Sequence, residues 1–161
     1  MTIDPSKKYS AVLSTEFGEI TIELFADKAP WAVNSFVFLT REKWYDNTTF
    51  FSVQPGIAVI AGDPSGTGFG GPGYAYSSEI TDLKFDKTGV VGVFSSAADL
   101  NGSRFFITLD ELPQFDGVYT IFGQVTSGLD ILEKFPSRDL SSPTGSMQEG
   151  EKILGVTITE N

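Results

Sequence analysis

Short apolar segments, separated by glycine, proline and small polar residues, run through most of this 161-residue chain. Segments of this length and spacing are typical of strands in an antiparallel sandwich or barrel. Residues 19–24 alternate polar and apolar side chains, as a half-buried strand does, and residues 9–14 form a second candidate strand before them. A turn at Glu16, Phe17 and Gly18 completes a predicted β-hairpin. Further strands are predicted at residues 49–53, 57–61, 90–94, 105–109, 120–125 and 152–159.

Two helices are predicted among these strands. The first begins at Pro30, because proline suits the first turn of a helix. Its wide apolar face is predicted to consist of Trp31, Val33, Phe36, Val37 and Leu39. The second helix is predicted at residues 129–135, and residues 137–150, rich in serine, proline and glycine, predict a surface loop. The length fits a single domain over residues 1–161.

Composition excludes several classes of function. The chain has no histidine and no cysteine, so histidine-dependent triads, thiolate catalysis and histidine-ligated zinc are excluded. We expect no metal and no cofactor. A net charge of −10 disfavours binding to nucleic acid or to anionic membranes. The apolar segments are much shorter than the roughly 20 residues of a membrane-spanning helix, and we expect a cytoplasmic monomer.

One glycine-rich segment matches a nucleotide-binding pattern. Residues 66–71 read Gly-Thr-Gly-Phe-Gly-Gly, which fits G-x-G-x-x-G. A phosphate site of this kind requires a helix to begin directly after the glycines. Pro72 and Gly73 extend the loop instead, so the pattern predicts a surface loop without a phosphate.

Four longer motifs occur in order along the chain. They are residues 50–57 (Phe-Phe-Ser-Val-Gln-Pro-Gly-Ile), the Gly-Asp-Pro segment and glycine loop of residues 62–74, residues 101–108 (Asn-Gly-Ser-Arg-Phe-Phe-Ile-Thr), and residues 115–123. Together they resemble the cyclophilin family of peptidyl-prolyl isomerases, most closely the bacterial single-domain type, over about residues 9–158. The resemblance implies a mainly β fold, a closed eight-stranded antiparallel barrel capped by two α-helices.

The reaction that the resemblance implies needs no nucleophile or metal. Rotation about a peptide bond has a barrier of about 18–20 kcal/mol because the amide is conjugated. A catalyst lowers it by binding the twisted bond and by aiming a donor at the prolyl nitrogen. In the family an arginine supplies that donor, and here its position is Ser52. A neutral hydroxyl lacks the charge and the reach of a guanidinium group.

Other positions of the family's site also differ. The family's histidine is Phe51, its pocket phenylalanine and methionine are Ile57 and Ala58, and the glutamine that orients the arginine is Ile60. The Ala-Asn-Ala segment that grips the peptide backbone reads Phe94, Ser95 and Ser96, the rim residues are Gln114 and Phe115, and the pocket histidine is Tyr119. Phe106 matches the family as a pocket wall.

The aromatic replacements leave two interpretations open. In one, an apolar ligand pocket persists, lined by Phe51, Ile57, Phe94, Phe106, Phe115 and Tyr119. In the other, Phe51 and Phe94 fill the old pocket. Arg104 has two interpretations as well: a relocated catalytic cation, or a partly exposed arginine paired with Asp99 or Asp110.

Three functions therefore remain. The first is a peptide-binding or protein-binding module with weak or no isomerase activity, indicated by Ser52 and Ile60. The second is an atypical active isomerase that assists protein folding and uses Arg104; the third is a structural subunit of an assembly. Proline-containing ligands are expected, and the net charge of −10 favours basic ones. Binding of cyclosporin, frequent in the family, is predicted to be weak or absent.

Overall fold

The computed structural model describes residues 1–95 and 102–161. Strands β1 (Tyr9–Thr15) and β2 (Gly18–Leu24) form the predicted hairpin, and their register pairs Leu13 with Ile20. The alternating pattern has the expected effect, because Ile20, Ile22 and Leu24 are all buried while the side chains between them are not.

Helix α1 (Pro30–Arg41) begins at the predicted proline. Val33, Phe36 and Val37 are buried, and the Phe36 ring lies 5.5 Å from that of Phe105, between ring centroids. Placing Trp31 on this apolar face was wrong, since Trp31 is 53% exposed. It lies in the first turn, where the carboxylate of Glu79 accepts hydrogen bonds from the free backbone N–H groups.

The remaining strands complete one sheet. They are β3 (Thr48–Phe50), β4 (Ser52–Gln54), β5 (Ala58–Ala61), β6 (Val90–Val93), β7 (Phe105–Thr108), β8 (Ile121–Ser127) and β9 (Glu151–Glu160). The sheet order is β3-β9-β1-β2-β8-β6-β7-β5-β4, and all the strand pairs are antiparallel. Its two edge strands, β3 and β4, are adjacent in sequence, so the sheet curls into a nearly closed barrel.

The structure has nine strands in its described part, whereas eight were predicted. The difference arises at Phe51, where the predicted strand over residues 49–53 divides in two. Before Phe51 the chain pairs with β9, as Thr48 does with Ile153; after it the chain pairs with β5, as Ser52 does with Ile60. The mainly β barrel predicted from the sequence is confirmed.

The short helices differ more from the prediction. Helix α2 (Leu129–Leu132) is a single turn, shorter than the predicted residues 129–135. The expected surface loop at residues 137–150 contains helix α3 (Pro143–Met147), whose N-cap Ser142 accepts a hydrogen bond from the Gly145 N–H at 2.9 Å. Residues 113–115 form a single 3-10 turn. Residues 64–75, which include the glycine pattern, consist of turns and bends and open no helix.

Apolar side chains form two clusters. The larger fills the barrel and includes Phe36, Phe105 and Phe122. The smaller lies around Phe85 and Phe106, on residues of β5, β6, β7 and the 113–119 region. This smaller cluster holds most of the positions that the sequence assigned to a ligand pocket.

Candidate functional site

A groove of about 1100 Å³ opens beside β4 and β5. Ser52, Ile60 and Arg104, three of the predicted site residues, line it together with Phe51 and Phe94. The glycine loop at residues 64–69 and residues of the 138–152 segment form its sides. The structure therefore brings Ser52, Ile60 and Arg104 to one cavity.

Ser52 lies on β4 directly opposite Ile60 on β5. The residue is buried, and its hydroxyl accepts a long hydrogen bond from Gln54 Nε2, at 3.4 Å. Ile60 offers no polar atom on its side chain. Ser52 and Ile60 thus contribute one small hydroxyl and no charge to this part of the groove.

Arg104 directly precedes β7 and is also buried. Its Nη1 donates to the carbonyl oxygen of Gly68 at 2.6 Å, and its Cζ lies 5.5 Å from the centroid of the Phe94 ring. This position corrects the expectation of a partly exposed arginine. Asp99, one of the expected partners, lies outside the described residues, and Asp110 accepts a hydrogen bond from the Glu111 N–H at 2.8 Å.

The glycine loop that Arg104 contacts is organised by Asp63. Its Oδ1 accepts from the Ser65 N–H at 2.9 Å, and its Oδ2 accepts from the N–H groups of Gly68 and Gly70 at 2.7 Å and 3.0 Å. Burial alone would raise the pKa of Asp63, but the hydrogen bonds from Ser65, Gly70 and Gly68 outweigh it and lower that pKa. The Gly-Asp-Pro motif therefore builds one side of the groove.

Phe106, Phe115 and Tyr119 pack against one another in the smaller apolar cluster. The centroid of the Phe106 ring lies 5.8 Å from that of Phe115 and 5.4 Å from that of Tyr119, and Phe85 stacks on Phe106 at 5.6 Å. Only 3% of Phe106 is exposed. A Cβ at Gly92 would approach the Phe106 ring to 2.6 Å, so the glycine on β6 admits this ring.

The single pocket expected from the aromatic residues is therefore divided. Ala58 and Phe106 belong to the packed cluster, with Phe115 and Tyr119 half-buried against it. Phe51 lies instead in the groove, and both it and Phe94 line space that stays open. That Phe51 and Phe94 fill the family's old pocket stays a prediction; both residues line the groove.

Several predicted residues lie at the edge of this region. Ile57 is 43% exposed on the turn between β4 and β5, which corrects its placement as a pocket wall. Gln114 is exposed on the 3-10 turn. Ser95 is half-buried beside Phe94, and Ser96 lies outside the described residues.

Sequence reasoning missed one side of the groove. It comes from the segment expected to be a surface loop and includes Arg138, Leu140 and Met147. The N–H and carbonyl groups of Arg138 pair with those of Val53, at 2.9 Å in both directions, and this pairing brings the segment to β4. Phe85 was missed as well, although it is fully buried among the pocket aromatics. The sequence signal that could have identified Phe85 is an aromatic residue within an otherwise polar loop.

Neither a metal centre nor a membrane span is found within residues 1–95 and 102–161. No group of three or more acidic residues is placed to hold a metal ion there. No helix in those ranges is long and apolar enough to cross a bilayer.

Residues 10–159 match the sequence profile of the family described as cyclophilin type peptidyl-prolyl cis-trans isomerase. The chain belongs to this family. Among relatives, it is 39% identical to peptidyl-prolyl cis-trans isomerase-like 1 of Gibberella zeae, over 92% of this cyclophilin and 94% of that protein. It is also 39% identical to peptidyl-prolyl cis-trans isomerase-like 2 of Rhizopus delemar, over 81% of this chain; there the match spans only 25% of the relative's length.

The crystal structure of a cyclophilin type isomerase from Cryptosporidium parvum superposes on this cyclophilin with a TM-score of 0.85. The two are 35% identical, and the superposition covers 96% of this chain and 99% of the other. The same C. parvum protein was also solved in the presence of the dipeptide Ala-Pro, with a TM-score of 0.84. The relatives from Gibberella zeae and Rhizopus delemar are fungal proteins. The resemblance to the bacterial single-domain type therefore stays a prediction.

Proposed function

We propose that this cyclophilin is a peptide-binding protein whose prolyl isomerase activity is weak or absent. The observation that carries the proposal is Ser52, a buried, neutral side chain in the groove, which the family resemblance matches to the family's arginine. Its hydroxyl can offer one hydrogen bond and no charge to the prolyl nitrogen. The twisted bond would therefore gain little stabilisation over the planar forms, which is what catalysis requires.

The groove beside Ser52 supports binding. Its volume of about 1100 Å³ slightly exceeds the roughly 300–1,000 Å³ of ordinary ligand pockets and is enough for an extended peptide. The C. parvum relative was solved in the presence of Ala-Pro, which supports proline-containing peptides or proteins as the ligand class. A net charge of −10 would accelerate encounter with basic partners in a salt-dependent way.

One observation favours a second candidate, an atypical isomerase. Arg104 lines the same groove as Ser52, so a guanidinium is present near the position of the missing one. Its Nη1 donates a hydrogen bond to the Gly68 carbonyl oxygen, and the guanidinium carbon Cζ lies over the Phe94 ring. Activity from Arg104 would require this contact to rearrange, because catalytic donors must be held within about 0.5 Å of their productive positions.

Two-dimensional exchange NMR on a short Ala-Pro peptide separates these candidates. The peptide is mixed with catalytic amounts of the wild type, Ser52→Arg or Arg104→Ala, and Ser77→Arg serves as a matched control because Ser77 is exposed and does not line the groove. The proposal expects shifts that report binding to the wild type, no cis/trans cross-peaks with it, and cross-peaks with Ser52→Arg only.

Other results contradict the proposal in distinct ways. Cross-peaks with the wild type that vanish in Arg104→Ala would identify the atypical isomerase. Cross-peaks with the wild type that persist in Arg104→Ala would assign catalysis to another group. Absence of any peptide shift would overturn the binding function.

A further inference from the structure

The groove extends beyond the positions that match the family's site. From Ser52 it continues between the glycine loop and the 138–152 segment, where Leu140 and Met147 line it. Because one continuous cavity contains both ends, a peptide seated over Ser52 would extend towards Leu140 and Met147. The groove volume of about 1100 Å³ accommodates such an extension.

The far wall of the groove is fixed by a buried cation. Arg138 Nη1 donates to the carbonyl oxygen of Phe51, while its Nε and Nη2 donate to the carbonyl oxygen of Gln148 at 2.9 Å and 2.6 Å. The segment also pairs with Val53 of β4 through Arg138. Leu140 and Met147 lie close in sequence to Arg138 and Gln148, which these bonds hold against the barrel. The far wall is therefore a fixed part of the structure.

Four large apolar side chains, those of Phe51, Phe69, Leu140 and Met147, line this end of the groove. Phe51 and Leu140 both pack at Gly68, where a Cβ would lie 3.4 Å from the phenylalanine ring and 3.7 Å from the leucine. Met147 and Phe69 are 86% and 87% exposed and stand at the edges of the groove. Exposed large apolar groups beside a groove are typical of binding surfaces, and methionine adapts to ligands of varied shape.

The charges at this end are already engaged. Lys152 Nζ lies 3.8 Å from Glu149 Oε2, and both side chains are well exposed. Arg138 is directed at backbone carbonyls. An incoming charged side chain would meet the Lys152–Glu149 pair and the engaged Arg138, whereas an apolar side chain would cover Leu140 and Met147.

We infer that Phe51, Phe69, Leu140 and Met147 form a subsite, here the distal subsite, for a large apolar side chain near the proline of a bound peptide. Leucine, methionine and phenylalanine are the side chains that fit its chemistry. The inference rests on the proposed function, since it requires the groove to bind proline-containing peptides.

A leucine scan tests the distal subsite. Alanine-based peptides with one central proline carry a single leucine at successive positions on either side of it, and their dissociation constants are measured by NMR titration. One position is expected to bind the wild type about tenfold more tightly than the parent peptide, the effect of partly burying a leucine side chain. Aspartate or lysine at that position is expected to give no gain.

The variants Met147→Ala and Leu140→Ala are each expected to remove most of the leucine gain, measured for each variant as the ratio of the parent peptide's dissociation constant to that of the leucine peptide. Leu154→Ala is the matched control, because Leu154 is 45% exposed on β9 and does not line the groove. The high exposure of Met147 means that its variant folds normally.

Failure of the distal subsite and failure of the proposed function give different results in this experiment. If the parent peptide binds but leucine gives no gain at any position, or a gain that survives both alanine variants, the distal subsite is overturned alone. A larger gain from aspartate than from leucine would identify an anion site instead. If no proline-containing peptide binds, the proposed function fails first.

Discussion

The two sides of the groove are organised by opposite charges. On one side the Asp63 carboxylate accepts hydrogen bonds from the N–H groups of Ser65, Gly68 and Gly70. On the other side the Arg138 guanidinium donates to the carbonyl oxygens of Phe51 and Gln148. Each buried ion forms hydrogen bonds with backbone N–H or carbonyl groups that are not paired within the sheet.

The two sides differ in how far their partners lie along the chain. Asp63 gathers donors from within seven residues, so its loop is a local structure. Arg138 reaches Phe51, 87 residues away, and thereby ties the 138–152 segment to the barrel. The Asp63 carboxylate shapes one local loop, whereas the Arg138 guanidinium adds to the backbone pairing with Val53 in joining a distant segment to the barrel.

Asp63→Ala should have the largest effect on stability. Removal of the carboxylate leaves three backbone N–H groups without their acceptor, and unpaired buried donors are costly. We expect the free energy of unfolding, measured in urea at pH 7, to fall by roughly 3–5 kcal/mol. The control Asp27→Ala removes an exposed carboxylate and should change it by less than about 0.5 kcal/mol.

The effect of Asp63→Ala should also depend on pH. The folded pKa of Asp63 is lowered below 3.8, so its stabilisation is present above the unfolded value and is lost as the pH falls through the folded one. The difference between wild type and variant should therefore narrow in acid. If Asp63→Ala lowers the free energy of unfolding equally at pH 7 and at pH 3, the charge of Asp63 contributes nothing to stability.

Arg138→Met should have a smaller effect. Methionine keeps an apolar stem but leaves the carbonyls of Phe51 and Gln148 unpaired, which is tolerated better than unpaired N–H groups. We expect a loss of roughly 2–3 kcal/mol in urea unfolding and faster amide hydrogen exchange in residues 137–150.

Arg41→Met is the matched control for that variant. Arg41 forms an exposed ion pair with Glu160, 3.2 Å from Nη2 to Oε2, so its loss should change stability by less than about 0.5 kcal/mol. If Arg138→Met destabilises the protein no more than Arg41→Met does, the guanidinium does not hold the far wall.

The same distinction between local and long-range partners explains which parts of the fold and of the site the sequence predicts. The β1–β2 hairpin, α1 and the glycine loop are predictable because their signals lie within a few residues. The meeting of Ser52, Ile60 and Arg104 followed from the family resemblance, whereas the burial of Ser52 and Arg104 and the contact of Arg104 with Gly68 did not. Leu140 and Met147 could not be placed, since their position depends on the long-range bonds of Arg138.

Glu151, the first residue of β9, is a contrasting case to Asp63 and Arg138, because its carboxylate lacks hydrogen-bond partners at one oxygen within the described part of the chain. Its Oε1 is buried with no hydrogen-bond partner among the described residues. Burial and, to a lesser extent, the charge of Glu16 raise its pKa above 4.5, against a lowering contribution from the Glu16 backbone. This is the reverse of Asp63, whose oxygens are all engaged.

Glu151→Gln should therefore stabilise the protein slightly at pH 7. A raised folded pKa means that stability is fully present below the unfolded value and is lost as the pH rises through the folded one, so the charged carboxylate is the costly form at pH 7. Because the residue is partly exposed, solvent screening limits the gain to less than about 1 kcal/mol, and the gain should vanish below about pH 4.5. Glu149→Gln makes the same charge change on a side chain that is 82% exposed and should show no such pH dependence. If Glu151→Gln lowers stability at pH 7, the hydrogen bond from the Glu16 backbone outweighs burial, and Glu151 belongs with Asp63 as a satisfied anion.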